Sequence, residues 1–379
     1  MRSWDIFCRV VDNYGDVGVC WRLARQLAGE RGDIVRLWID DLTPLARIWP
    51  GVSPYADRQQ CAGVDIRHWP PDFAASTEIT PHDVVIEAFA CETPPPFIEA
   101  MSVRVPHPVW INLEYLSAET WVEDCHLLRS PHPRLPLVKR FFFPGFTERT
   151  GGLLREAGLL AQRDAFRADA DAQQQVWSSL RLDPPQDALK ISLFAYPNLA
   201  AEVLLAAWAG GSRRIFCVVP DGVLSGELQR AARKAPISGE TVTLGNLTVA
   251  VIPFVTQTDY DRLLWACDFN FVRGEDSFVR AQWAGRPFVW HIYPQDDATH
   301  LPKLRAFVDR YVDKVGPEAA DAIKPLFNAW NGEGNIVEAW TTAEGHLKVW
   351  NIAANHWSAA LAARPDMAST LAEAVEILL

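Results

Sequence analysis

Trp4-Asp5-Ile6-Phe7-Cys8-Arg9-Val10-Val11 runs into Asp12-Asn13-Tyr14-Gly15-Asp16 and then into Val17-Gly18-Val19-Cys20-Trp21-Arg22-Leu23-Ala24-Arg25-Gln26-Leu27-Ala28. The first segment is short and apolar, the second is polar with a glycine, and the third spaces its apolar residues at helical intervals. Strand, turn and helix therefore follow one another as in a β-α unit. Residues 34–39, 64–69, 83–89 and 108–113 repeat the strand signal with helical stretches between them. That alternation predicts a parallel, doubly wound sheet.

Residues 120–150 read as irregular and rich in proline, as in Ser130-Pro131-His132-Pro133, and a loop of that length predicts a lid, a binding segment or a connection. Residues 156–180 predict a solvated helix leading to a boundary near Pro184-Pro185. Beyond it the pattern restarts, with strands at 189–194, 214–219, 247–252, 268–272 and 288–292, helices near 198–209 and 257–266, and helix-forming sequence from about 316 to the end. A chain of 379 residues exceeds what one hydrophobic core usually serves. The expectation is a Rossmann-like domain over 1–183 on the acceptor side and a second over 184–359 for a nucleotide-sugar, with the helix at about 360–379 packing back on the first. Two such α/β domains facing each other across a cleft, without a G-x-G-x-x-G fingerprint, suit a GT-B glycosyltransferase better than a dehydrogenase.

The composition narrows the class further. With 49% hydrophobic and 22% charged residues the chain can bury a sizeable core, and its 16 tryptophans predict core and interface packing rather than a ligand. A net charge of -11 argues against non-specific nucleic-acid binding and tolerates a cationic substrate. Seven cysteines without any C-x-x-C spacing predict neither a disulfide framework nor a zinc site. No signal-peptide core and no run of 18 apolar residues is found, so a cytoplasmic protein without a membrane span is expected.

Three constellations are able to carry chemistry. Asp12 and Asp16 flank Asn13, Tyr14 and Gly15 on the turn after the first strand, where ligands of parallel sheets bind; the alternative is that both aspartates merely cap the turn and helix. Arg273-Gly274-Glu275-Asp276-Ser277 follows a strand of the second domain and enters a helix. Backbone N–H groups, the Ser277 hydroxyl and Arg273 there suit a diphosphate, while Glu275 and Asp276 suit sugar hydroxyls or a cation; the alternative is a capping box. Tyr196, Phe254, Gln257 and Tyr293 lie near the same strand ends, suiting a nucleobase or simply closing a core.

Taken together, these segments resemble the EarP-type protein-arginine rhamnosyltransferases. The likeness is carried by Phe7-Cys8-Arg9-Val10-Val11-Asp12-Asn13-Tyr14-Gly15-Asp16-Val17-Gly18-Val19, Asn112-Leu113-Glu114-Tyr115-Leu116-Ser117-Ala118-Glu119, Phe146-Thr147-Glu148-Arg149-Thr150-Gly151-Gly152-Leu153 and Phe271-Val272-Arg273-Gly274-Glu275-Asp276-Ser277. The resemblance implies an inverting GT-B enzyme that moves rhamnose from dTDP-β-L-rhamnose to an arginine in the N-terminal domain of translation elongation factor P, with no metal and no other cofactor. It implies Asp12, Asp16 and Glu275 as the carboxylates needed for activity. Asn13, Tyr14, Gly15, Tyr196, Phe254, Gln257, Arg273, Gly274, Asp276, Ser277 and Tyr293 would bind the donor. The competing readings are another GT-B transferase with a different acceptor, a non-catalytic nucleotide-binding regulator, and a nicotinamide oxidoreductase, whose pyrophosphate the two aspartates of the first turn would repel.

Overall fold

The computed structural model describes residues 1–379 apart from 13, 72, 74–79, 233–235, 296–297, 314 and 379. The chain divides into two compact units, Met1–Ala157 with Ala362–Leu379, and Gly158–Leu361.

The first unit contains β1 (Ser3–Cys8), α1 (Gly15–Arg31), β2 (Ile34–Ile39), α2 (Thr43–Ile48), β3 (Arg58–Cys61), β4 (Val64–His68), β5 (Val84–Ala88), α3 (Pro95–Val103), β6 (Val109–Leu113), α4 (Trp121–Cys125), β7 (Arg129–Pro131) and β8 (Val138–Phe142). The strands join in the order β3-β4-β2-β1-β5-β6-β8-β7. β1, β5 and β6 are almost wholly buried, as strands covered on both faces must be. β1 ends at Cys8 rather than at Val11, because the N–H groups of Val10 and Val11 donate to the side chains of Asp40 and Asp16 at 2.9 Å each and leave the ladder. The stretch read as irregular holds β7 and β8, with β8 parallel to β6 and β7 antiparallel at the edge, where Pro131 is tolerated. β3 is also an antiparallel edge strand, so the sheet is mixed.

The second unit contains α5 (Leu159–Ala168), α6 (Ala170–Ser179), β9 (Leu189–Leu193), α7 (Leu199–Gly210), β10 (Ile215–Pro220), α8 (Ser225–Ala232), β11 (Thr241–Leu244), β12 (Leu247–Ile252), α9 (Gln257–Ala266), β13 (Phe269–Arg273), α10 (Asp276–Ala284), β14 (Phe288–His291), α11 (His300–Val312), α12 (Pro317–Trp330), α13 (Ile336–Gly345) and α14 (Leu347–Ala362). Its sheet order is β11-β12-β10-β9-β13-β14, parallel except for β11. The helix expected over 156–180 is two helices: Asp169 leaves helical geometry and accepts from the N–H of Ala172 at 3.0 Å, capping the second. Both helices belong to this unit, and the division falls at 157/158 instead of near Pro184-Pro185. Phe166 packs on Trp265 of α9, and Arg163 donates to the Trp283 carbonyl at the end of α10 at 2.7 Å.

The last helix, α15 (Met367–Leu378), lies in the first unit. Gln26 of α1 donates to the Arg155 carbonyl and to Asp366, and the Met367 N–H donates to the Leu153 carbonyl at 2.9 Å. Most of the aromatic residues are buried. Phe7, Trp38, Phe97 and Trp110 share one core of the first unit, and Phe278 stacks on Trp290 at 3.9 Å in the second. All seven cysteines are free thiols; Cys61 and Cys125 are half-buried and the other five are buried. Among the described residues no helix is long and apolar enough to cross a membrane.

β1 and β2 are locked by a charge pair. Asp5 is fully buried and accepts from Arg36 at 2.5 and 2.9 Å, from the Trp38 indole at 2.9 Å and from the His82 N–H at 2.9 Å. Removing the carboxylate would strand a buried guanidinium, which costs about 3–5 kcal/mol. Asp5→Ala is therefore expected to lower the unfolding free energy by that amount, read as a lower urea midpoint at an unchanged slope. An unchanged midpoint would sink the idea that this pair is tightly coupled.

Candidate functional site

In the first unit β1 lies between β2 and β5, where the strand order reverses, so the loop after β1 opens at the C-terminal edge of the sheet at a switch point. Asp16, in the first turn of α1, is buried and turned back into this loop. One of its oxygens, Oδ2, accepts from the N–H groups of Val11 and Asp12 at 2.9 and 2.8 Å, and Oδ1 accepts from the Tyr115 hydroxyl at 3.1 Å. Asp16 thus holds the loop instead of capping its own helix. Burial raises its pKa from the ordinary carboxylate value, and the three hydrogen bonds oppose that shift only in part.

Asp12 is half-buried beside it, and its carbonyl accepts from the Gly15 N–H at 2.7 Å. A β-carbon on Gly15 would come within 2.5 Å of Asp12 Oδ2, so only glycine lets that carboxylate lie across the start of α1. The Tyr14 hydroxyl accepts from Arg47 at 2.8 Å. Asn13 lies outside the described residues.

Sequence reasoning missed the frame around Asp16. Tyr115 follows β6, and its ring stacks on Phe89 at 4.4 Å and 15°. Phe89, Ala90 and Glu92, just past β5, all have positive φ, between 53° and 57°, although none is glycine. Each such residue costs about 1–2 kcal/mol, and strain of this kind gathers at working sites. Tyr115 lies in the stretch 112–119 that carries part of the family likeness, but nothing in the spacing there points to Asp16, 99 residues away.

In the second unit β9 occupies the equivalent place between β10 and β13. Arg273 ends β13, and its guanidinium lies 4.5 Å from the Phe194 ring centre and 4.6 Å from that of Tyr196. Tyr196 meets Tyr293 edge-on at 5.4 Å, and Phe194 meets Phe254 edge-on at 6.2 Å. Tyr196, Phe254 and Tyr293, expected as one group, and Arg273, expected in another, form with Phe194 one aromatic wall with a cation on it. Gly274 takes φ +60°, the left-handed region that lets the chain turn from β13 into α10. Glu275 is the N-cap residue of α10 and makes no side-chain cap bond, so the capping-box alternative fails. Asp276 accepts from Gln257 at 3.2 Å, tying α9 to the start of α10.

Ser277 behaves differently from expectation. Its hydroxyl accepts from the Arg273 N–H at 3.0 Å and donates to the Arg273 carbonyl, so its own hydrogen is engaged in fixing the turn. Below the turn, Arg280 and Asp261 form a buried two-pronged ion pair at 2.8 and 2.7 Å that braces α10 on α9. Burial and the nearby charge of Arg273 lower the pKa of His291, next to Tyr196, to about 3. It is therefore a neutral ring in ordinary buffers. Among the described residues no three His, Cys, Asp or Glu side chains are grouped to hold a metal ion.

Two α/β units with loops of this kind at the C-terminal ends of their central strands are those of the GT-B fold, the architecture of many nucleotide-sugar glycosyltransferases. The MurG structure from Acinetobacter baumannii shares the fold alone, at a TM-score of 0.51 and 12% identity over 99% of each chain. More narrowly, the chain belongs to the family described as Elongation-Factor P (EF-P) rhamnosyltransferase EarP, whose model matches residues 4–376. A protein-arginine rhamnosyltransferase of Pseudomonas putida KT2440 is 50% identical over 370 residues, covering 97% of each chain. A solved structure described as the basis for EarP-mediated arginine glycosylation of translation elongation factor EF-P matches 100% of both chains, with a TM-score of 0.72 and 36% identity.

Gly15→Ala tests the packing of Asp12. Alanine favours a helix, and its clash is with the end of a flexible side chain, so the melting temperature is expected to hold or rise slightly. Turnover is expected to fall about tenfold or more as the carboxylate is displaced. Wild-type turnover in this variant would show that Asp12 has no fixed position to lose.

Proposed function

We propose that this protein transfers rhamnose from dTDP-β-L-rhamnose to an arginine side chain of translation elongation factor P, with inversion and without a metal ion. The observation that carries the reading is Asp16, a buried carboxylate of raised pKa in the first turn of α1, turned back into the loop that follows the central strand β1. A guanidinium has a pKa above about 12 and its lone pairs are delocalised, so transfer to nitrogen needs a carboxylate that orients the group and takes its proton.

In this reading Oδ1 of Asp16 accepts the guanidinium proton, because two backbone N–H groups already occupy Oδ2. The nitrogen attacks the anomeric carbon as the bond from that carbon to the diphosphate oxygen breaks, and dTDP leaves with the electron pair. Asp12 pairs with the guanidinium, and Glu275 contacts the sugar or the acceptor. Arg273 and the backbone N–H groups at the start of α10 offset the charge on the departing diphosphate, which is the work a metal would otherwise do. Phe254 and Gln257 suit the thymine face and edge, with Tyr196 and Tyr293 beside Arg273. Gly274 allows the close approach, and Asp276 and Ser277 keep the turn in shape.

Intact mass after incubation of elongation factor P with the enzyme and dTDP-β-L-rhamnose is expected to show one added deoxyhexose, and none when the acceptor arginine is lysine. A gain with other acceptors but not with this one would favour a different GT-B transferase. Asp16→Asn is expected to keep dTDP binding and lose turnover. Arg273→Met is expected to weaken dTDP binding about 10–100-fold, the scale of a charge-assisted hydrogen bond. Titration calorimetry of both variants checks the pair of expectations, and equal losses of binding would remove the division of labour between the two residues.

A further inference from the structure

We propose that Tyr115 is a positioning residue for Asp16, and that the stacked Phe89 ring on its left-handed turn is the rigid support that aims the Tyr115 hydroxyl. The inference rests on Asp16 being the proton acceptor. The geometry is specific. The Phe89 N–H donates to the Leu113 carbonyl at 2.7 Å, so the two segments that leave β5 and β6 stay in register for one residue beyond the strands. Phe89 then enters the left-handed region, its ring lies flat on Tyr115, and the Tyr115 hydroxyl meets Oδ1 at 3.1 Å. The turn is fixed from below as well: the Cys91 thiol donates to the Phe7 carbonyl at 3.3 Å, and Thr93 donates to the buried Glu87 at 3.2 Å.

Oδ1 is the oxygen left for the substrate once Oδ2 has taken two backbone N–H groups, and Tyr115 donates to one side of it. The hydroxyl therefore sets which direction of approach stays open on that oxygen. A donor there also favours the charged carboxylate. Other ionisable groups near Asp16 include Asp40 beyond β2, Cys8 at the end of β1, which is hydrogen-bonded with Cys20 of α1, and Asp12, whose backbone N–H donates to Asp16. A change at position 115 leaves all of these in place.

Tyr115→Phe removes the hydroxyl and keeps the stack. The sign follows from the hydrogen bond: losing a donor that holds the carboxylate charged raises the Asp16 pKa, so the acid limb of kcat moves to higher pH. The shift expected is on the order of half a pH unit, the effect of one hydrogen bond among several. Plateau kcat is expected to fall about tenfold, with KM for dTDP-β-L-rhamnose within about twofold of wild type. Phe89→Leu is expected to move the acid limb the same way by less, and Phe89→Trp to restore it. Superimposable pH profiles for wild type and Tyr115→Phe overturn the proposal, and so does a fall in kcat with the acid limb unmoved, which marks general loosening. If Tyr115→Phe fails to fold, an unmoved limb in Phe89→Leu overturns it equally. Asp16→Asn at wild-type turnover would instead remove the underlying reading of Asp16, so the two failures are distinguishable.

Discussion

Each unit is governed by the position of its first strand. β1 and β9 lie inside their sheets with parallel partners on both sides, and the chain departs first to one side and later to the other. Parallel strands need crossovers, and the crossovers cover opposite faces on either side of the reversal. The loops at the C-terminal ends of the central strands therefore diverge, which leaves backbone N–H groups and short polar turns accessible there. The loop that carries Asp12 and Asp16 and the turn that carries Arg273 are both consequences of this one arrangement.

Once the loops are placed, their rigidity comes from different sources. The Asp16 loop is held by a charge turned inward on its own backbone, and burial raises the pKa of that charge. The Arg273 turn is held by a hydroxyl that bonds both the N–H and the carbonyl of one residue, above the Arg280–Asp261 pair. The first device leaves Oδ1 of Asp16 facing the Tyr115 hydroxyl, while the second leaves a guanidinium resting on two aromatic faces. Strain at Phe89, Ala90 and Glu92 is offset by the stack with Tyr115 and by the hydrogen bonds around Cys91 and Thr93.

The sequence made the central strands legible because a strand buried on both faces is a short apolar run, as at 34–39 or 247–252. β3, β7 and β11 escaped notice because edge strands are half-exposed and carry polar residues or proline, so they give no such run. The unit boundary was misplaced since α5 and α6 look solvated along most of their length, while the contacts that assign them, Phe166 with Trp265 and Arg163 with Trp283, reach about a hundred residues along the chain. Of the candidate site, the residues that link a central strand to the helix after it were legible: Asp12, Gly15 and Asp16 in one unit, Arg273 to Ser277 in the other. Tyr115, Phe89, Asp261 and Arg280 were not, because each acts through a partner that is distant in sequence.

The distribution of thiols has a practical consequence for handling the protein. Burial holds Cys91, Cys217 and Cys267 well above the usual thiol range, and at Cys8 a hydrogen bond with Cys20 adds a still larger effect, so these groups carry almost no thiolate. Air, peroxide or a maleimide will meet Cys61 and Cys125 first, one on the edge strand β3 and the other at the end of α4, and neither in the Asp16 loop. Loss of activity on storage is then a poor gauge of oxidation, and those two positions are natural points for attaching a dye or a surface linker.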